Sequence, residues 1–319
     1  MTQAAIEVEG VGRTFGEGRH LLTALSDASF RCDFGETVAL LGSNGAGKTT
    51  LIKILATLLL PSCGHARVAG HDVAREPERA RAAASVVFGG DRGLYARLTG
   101  RDNLRFFGML AGLRRRDIRG RADSVLEQVN LTAAADRRVE TYSKGMRQRL
   151  HLAIGLMVRP RVLLLDEPTV GLDPLEAQRL REGITSLRDE GVGILLTSHY
   201  LLDVERLADR VLLLSGGRIV EDLTPAELVT KSGHAATVTV RGHGRLPAVD
   251  DLRLPASVVG TELRGDGTSW ELDLRLRAWS AELFGQLGVV FSESRVDDVL
   301  VRETRLEEAF TALAARLQA

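Results

Sequence analysis

Eight consecutive residues constrain this chain more than any others: Gly42-Ser43-Asn44-Gly45-Ala46-Gly47-Lys48-Thr49. They follow an unbroken apolar run, Thr37-Val38-Ala39-Leu40-Leu41, which reads as a buried strand, and residues 49–60 beyond them read as a helix. Strand, glycine loop and helix in that order are the context of a phosphate-binding loop. The glycines let successive backbone N–H groups turn inward toward anionic oxygens, and the helix adds the positive end of its dipole. Lys48 is placed to reach the β- and γ-phosphates of a nucleoside triphosphate, and the Thr49 hydroxyl to ligate Mg²⁺. Thr50, next along, joins the candidate nucleotide-binding residues. A glycine-rich turn that fits by accident is the alternative, and the flanking elements argue against it. Alone, the loop implies a triphosphate binder and nothing narrower.

A second apolar run, Val162-Leu163-Leu164-Leu165, delivers Asp166-Glu167 at a strand end, where open α/β sheets bind their ligands. Asp166 is the candidate second holder of Mg²⁺ and Glu167 the candidate general base for an attacking water. An exposed acidic turn after a core strand is the competing reading. Further strands read at Ile6–Glu9, Ser85–Phe88 and Ile194–Leu196, with a hairpin from Arg210 through Ser215-Gly216-Gly217 to Val220. Between Leu94 and Pro160 the pattern turns helical, over 101–113, 117–129 and 144–157. The pattern breaks again near Thr230. Beyond it Thr237–Val240 and Trp270–Leu274 alternate as half-exposed strands, and 278–287 and 305–317 read as helices.

Tyr142-Ser143-Lys144-Gly145-Met146-Arg147-Gln148-Arg149-Leu150 begins with a Ser-x-Gly turn and runs into a helix. This segment resembles the signature sequence of ATP-binding cassette proteins, in the form common among exporter ATPases. Gly171-Leu172-Asp173-Pro174 and His199, in Leu196-Thr197-Ser198-His199, follow in the same family's order. The resemblance covers roughly residues 5–230. It implies an α/β fold: a P-loop NTPase core on a mainly parallel sheet, with an antiparallel β subdomain and a helical insertion over about 94–160. It also implies ATP and Mg²⁺ as cofactors. Two cassettes close head to tail, so that Ser143 and Gly145 of one chain cover the nucleotide held by Lys48 of the other, with Asp173 coupling the two sites. His199 contacts the γ-phosphate, and Phe15 stacks on adenine. Taken singly, Ser143 is also a plain helix N-cap, His199 a structural histidine and Phe15 a core aromatic.

The sequence departs from the family pattern in one loop. Where a glutamine is expected after Val86-Val87-Phe88, the chain reads Gly89-Gly90-Asp91-Arg92-Gly93-Leu94-Tyr95. Asp91, or a water in the glycine gap at Gly90, is expected to take the metal-side contact, with Arg92 and Tyr95 facing a membrane partner. At the far end, Arg305-Leu306-Glu307-Glu308-Ala309-Phe310 resembles the closing helix of daunorubicin-type exporter ATPases, with Leu306, Phe310 and Leu313 on one face. That helix either docks on a cassette or closes a small domain. The expected division is a nucleotide-binding domain over 1–230 and a small α+β accessory domain over 231–319.

Composition bounds the function. Lys plus Arg and Asp plus Glu both number 42, so the chain is neutral and lacks the basic footprint of a nucleic-acid binder. No apolar run approaches the roughly eighteen residues that would span a bilayer, so a membrane role implies a separate transmembrane permease subunit. Cys32 and Cys63 show no metal spacing, and the chain start lacks signal-peptide features. A peripheral position on the cytoplasmic side of the membrane follows as the expectation. Chromosome-maintenance cassettes carry a long coiled coil that the 95 residues from Lys48 to Ser143 do not contain. Ribosome-associated cassettes come in pairs with a charged linker, and this chain has one cassette. An exporter ATPase homodimer is the leading expectation, for a drug or other lipophilic molecule. Lipid or polysaccharide export and a regulatory cassette remain open.

Overall fold

The computed structural model describes residues 3–16, 21–89, 93–231, 233, 235–244, 252, 254–265, 268–277, 279, 281–291 and 295–318. The chain divides into two compact units, Met1–Thr224 and Pro225–Ala319.

The first unit opens with strands β1 (Ile6–Phe15), β2 (Leu22–Cys32) and β3 (Thr37–Leu41), then helix α1 (Lys48–Leu55). β4 (Cys63–Val68), β5 (His71–Asp72), α2 (Pro77–Ala83) and β6 (Ala84–Phe88) follow. Three helices come next, α3 (Gly100–Leu110), α4 (Arg115–Gln128) and α5 (Lys144–Leu156), before β7 (Val162–Asp166). The unit ends with α6 (Pro174–Asp189), β8 (Gly193–Thr197), α7 (Leu201–Leu207), β9 (Arg210–Ser215) and β10 (Arg218–Leu223).

Two sheets result. A six-stranded sheet runs β10-β9-β3-β8-β7-β6, parallel from β9 to β6 with β10 antiparallel at the edge. Its inner strands are apolar without alternation, and every residue of β3 and β8 is buried, because helices cover both faces of a parallel sheet. The second sheet, β2-β1-β4-β5, is antiparallel. In β1, Ile6 and Val8 are buried while Glu9 is exposed, the alternation of a strand with one wet face.

The core between the sheets joins Ile6, Val8, Val11 and Leu25 to Val38 and Leu40 of β3, and to Leu51, Ile52, Ile54 and Leu55 of α1. Burying each such side chain stabilises the fold by about 1.5–3 kcal/mol, and this packing seats α1 directly behind the glycine loop. α1 stops at Leu55, short of the expected Leu60. Thr57 adopts φ 59°, its N–H bonds to Ile54 O at 3.0 Å, and Leu58 N–H bonds to Lys53 O at 2.9 Å. That is a Schellman stop, made here without glycine. Among the described residues no helix is long and apolar enough to cross a membrane.

The second unit contains α8 (Pro225–Lys231), β11 (Ala236–His243), β12 (Val258–Gly265), β13 (Ser269–Leu276), α9 (Ala281–Val290), β14 (Arg295–Glu303) and α10 (Leu306–Gln318). The boundary therefore falls ahead of α8, earlier than residue 230, because α8 packs on α10. The sheet is antiparallel in the order β12-β13-β11-β14. Val238 and Val240 of β11 pack with Leu272, Leu274 and Leu276 of β13 and with Leu283 and Leu287 of α9. β11 was expected half-exposed; instead all of 236–240 is buried, because β11 is an inner strand and Thr239 donates to buried Asp273 on the opposite face. On α10, Leu306, Ala309 and Leu313 are buried and Phe310 half-buried.

Candidate nucleotide site

The glycine loop leaves β3 at the carboxyl edge of the parallel sheet. A Cβ added to Gly42 would lie 2.3 Å from the Leu214 carbonyl oxygen, and one added to Gly47 (φ 112°) 2.4 Å from that of Ala24. Both positions demand glycine because backbone passes too close for any side chain. Ser43, Asn44, Gly45 and Thr49 are exposed along the loop, Thr50 is half-buried, and Ala46 is buried beneath. Gly45 (φ 83°) faces open space, so its glycine serves conformation alone. Lys48 is buried and folds back, its ammonium donating to Gly42 O at 2.7 Å and Ser43 O at 3.0 Å. Burial lowers the Lys48 ammonium below its ordinary value, against the pull of Glu167 and Asp166.

Register brings the carboxylates to the same edge. Asp166 closes β7 and pairs across to Phe88 of β6 and Thr197 of β8. Its Oδ1 accepts from the Thr197 hydroxyl at 2.6 Å and its Oδ2 from the Thr49 hydroxyl at 3.3 Å. The exposed Thr49 hydroxyl and one carboxylate oxygen thus meet as two hard oxygen donors, a set that fits Mg²⁺, which keeps most of its shell as water and phosphate.

Glu167 sits at φ 57°, a conformation that costs a non-glycine residue about 1–2 kcal/mol. Its N–H is held by the Thr197 carbonyl and hydroxyl oxygens, each at 3.1 Å. Its carboxylate faces His199, with the His199 N–H donating to Oε2 at 3.0 Å and Nε2 lying 3.1 Å from Oε1. Burial raises the Glu167 carboxyl above the ordinary carboxylate value, opposed by the His199 N–H and ring; Asp166 adds to the rise and Lys48 opposes it. A carboxylate raised this way holds a proton more firmly than a solvated one, the property a general base requires.

Ser143, Gly145 and Asp173 form a second cluster, at the N-termini of α5 and α6. Ser143 is exposed and caps α5, accepting from Met146 N–H at 3.1 Å. A Cβ on Gly145 would lie 2.6 Å from Glu176 Cγ. Glu176 pairs with buried Arg149 at 2.9 Å, and Arg149 donates to Val129 O and Asn130 O at 3.1 and 3.0 Å. Asp173, exposed, caps α6 by accepting from Glu176 N–H at 3.0 Å. The N-termini of α5 and α6 are therefore pinned together, and that of α5, with no acidic residue in its first turn, presents its positive dipole end. Phe15 is half-buried at the end of β1, with the Arg13 guanidinium 4.7 Å from its ring centroid. Gly90, Asp91 and Arg92 lie outside the described residues.

Several residues with no role assigned from the sequence also build this site. Thr197 braces both Asp166 and Glu167. A Cβ on Gly89 would lie 2.5 Å from the Glu167 carbonyl oxygen, and Gly89 N–H bonds to Asp166 O at 2.6 Å. Thr169, Arg181, Ser198 and Asp203 form a buried polar network beneath Glu167 and His199. The one available signal was an aspartate four residues past His199 on the buried face of a short helix.

Residues 25–170 match the ABC transporter family. The chain is 44% identical over 229 residues to the doxorubicin resistance ATP-binding protein DrrA of Mycobacterium tuberculosis, covering 72% of this chain and 68% of that protein. It is 36% identical over 316 residues to the daunorubicin resistance ATP-binding protein DrrA3 of Streptomyces coeruleorubidus, covering 98% and 96%. Among solved structures, an ATP-binding subunit of an ABC transporter matches with TM-score 0.62 at 31% identity, over 72% of this chain and 93% of that one. CbiO1 of Clostridium perfringens, part of the cbiONQ transporter complex, matches with TM-score 0.65 at 26% identity, over 71% and 90%. The fold and its site are those of a P-loop ATPase, and the chain belongs to the ATP-binding subunits of ABC transporters. It binds ATP and hydrolyses it.

Proposed function

We propose that this ATPase powers export of a lipophilic drug or antibiotic through a separate transmembrane permease, working as a homodimer on the cytoplasmic side of the membrane. The observation that carries the reading is the Glu167–His199 pair, at 3.0 and 3.1 Å, beside a loop lysine already turned inward. Lys48 and the loop N–H groups of residues 43–49 bind the β- and γ-phosphates. Thr49 and Asp166 hold Mg²⁺, which when bound neutralises phosphate charge. Glu167 takes the proton from the attacking water while His199 holds the γ-phosphate side of the site. Phe15 offers its ring to adenine, and the exposed helix N-termini at Ser143 and Asp173, with Gly145, complete the nucleotide site of the second copy.

The names of the relatives support a drug as cargo, since they are resistance proteins for doxorubicin and daunorubicin. A patch in the helical insertion supports permease docking. Tyr95 is exposed and packs edge-on against Phe106 at 4.7 Å, with Met109 and Leu110 exposed nearby on the same helix as Phe106. The test is Glu167→Gln, assayed for turnover and for trapping of an ATP-bound dimer. Turnover should fall at least about a hundredfold with a dimer retained; normal turnover rules out Glu167 as the base. Loss of drug efflux from vesicles carrying the co-purified permease and this variant checks the cargo.

A further inference from the structure

We propose that Asp203 is a positioning residue for ATP hydrolysis, tying the segment after Glu167 to the segment before His199 so that the two side chains keep their spacing. The inference rests on the roles proposed above for Glu167 and His199. Asp203 lies on α7 and is wholly buried. Its Oδ2 accepts from the hydroxyl of Thr169, two residues past Glu167, and from that of Ser198, immediately before His199, the latter at 2.8 Å. Its Oδ1 accepts from Arg181 Nε at 2.8 Å. Thr169, Ser198 and Arg181 are buried as well, and Ser198 Oγ also accepts from Tyr200 N–H at 3.0 Å.

Three features mark this as more than a satisfied core charge. A buried ion pair is a poor source of stability compared with apolar packing, so its presence here asks for another role. The two hydroxyls come from the two loops that carry Glu167 and His199, and they converge on a single oxygen. The third arm, Arg181, belongs to α6, the helix that Asp173 caps. A movement of α6 therefore reaches both loops through one carboxylate, a contiguous physical link rather than mere proximity. Losing either hydroxyl opens the link between the loops, and a misplacement of about 1 Å between reacting groups costs up to about a hundredfold in rate.

Asp203→Ala strands a buried guanidinium and endangers folding, so the test uses the hydroxyls. Thr169→Val and Ser198→Ala should each lower kcat about tenfold while KM for ATP stays within about twofold. The double variant should be no slower than the slower single one, because a link broken at one end is not broken further at the other. Thr169→Ser, which restores the hydroxyl, should recover most of the rate. The inference is overturned if both singles turn over within about twofold of the parent. It is equally overturned if KM rises in step with the loss of kcat, if the two losses multiply, or if serine does not rescue. Glu167→Gln run alongside keeps the readings apart: normal turnover there sinks the general-base assignment, whereas an inactive Glu167→Gln with unaffected hydroxyl variants sinks only the link through Asp203.

Discussion

Glu167 carries three demands at once. It holds a left-handed backbone, accepts two contacts from His199, and lies close enough to Asp166 and Lys48 to feel both charges. The backbone demand is met by Thr197, which takes its N–H, and by Gly89, whose missing Cβ leaves room for its carbonyl. The raised carboxyl has a consequence for pH. Glu167 binds its proton more tightly folded than unfolded. That preference stabilises the fold below the ordinary carboxylate range and is lost as pH rises through the raised value. Glu167→Gln should therefore raise the unfolding temperature at neutral pH, where the parent carries the buried charge, and the gain should shrink on acidification. Thermal unfolding of both proteins across pH 4 to 8 checks it; a gain independent of pH would remove burial of the charge as the cause. The acid limb of kcat/KM, which reports the free enzyme, should likewise lie above the range of a solvated carboxylate.

At the level of elements, caps decide where the functional helices begin and end. Ser143 and Asp173 start α5 and α6 by accepting N–H bonds from the third residue on, and Glu176 then serves both helices by facing Gly145 and Arg149. α1 ends at a left-handed Thr57 whose hydroxyl accepts from exposed Arg81 at 2.9 Å. Left-handed backbone costs threonine about 1–2 kcal/mol, while glycine there gives up about 0.5–1 kcal/mol in unfolded-chain entropy and the exposed bond is worth little. Thr57→Gly should thus stabilise the first unit by about 0.5 kcal/mol, read as a raised denaturation midpoint with unchanged KM for ATP. A lowered midpoint would show that the Arg81 contact outweighs the backbone strain.

For the whole molecule, the separation of candidate residues into two clusters is the main fact. Lys48, Thr49, Asp166, Glu167 and His199 are joined by hydrogen bonds or charge, whereas Ser143, Gly145 and Asp173 sit at the N-termini of α5 and α6. In the head-to-tail pair proposed above, each functional site would draw its two clusters from different copies. Lys48→Ala and Ser143→Ala proteins, each inactive alone, should regain about a quarter of the parent ATPase rate when mixed in equal amounts, since half the dimers then hold one intact site. A mixture no more active than its components would show that each chain works by its own residues.

Much of this protein is written locally. The loop from Gly42 to Thr49, the strand delivering Asp166 and Glu167, and the helix at Ser143 are legible because residue type and spacing alone specify a glycine turn, an apolar strand or a cap. The hairpin of β9 and β10 is legible for the same reason. Tertiary structure alone decided which strands lie side by side. The order β3-β8-β7-β6 puts Thr197 between Asp166 and Glu167 and brings Gly89 under Glu167's carbonyl. The separate order β12-β13-β11-β14 made β11 an inner strand, and the packing of α7 brought Asp203 to Thr169, Ser198 and Arg181. A side-chain pattern reports which face of an element is apolar, not which distant element covers it. The phosphate loop could therefore be read from the chain, while the residues that brace its carboxylates could not.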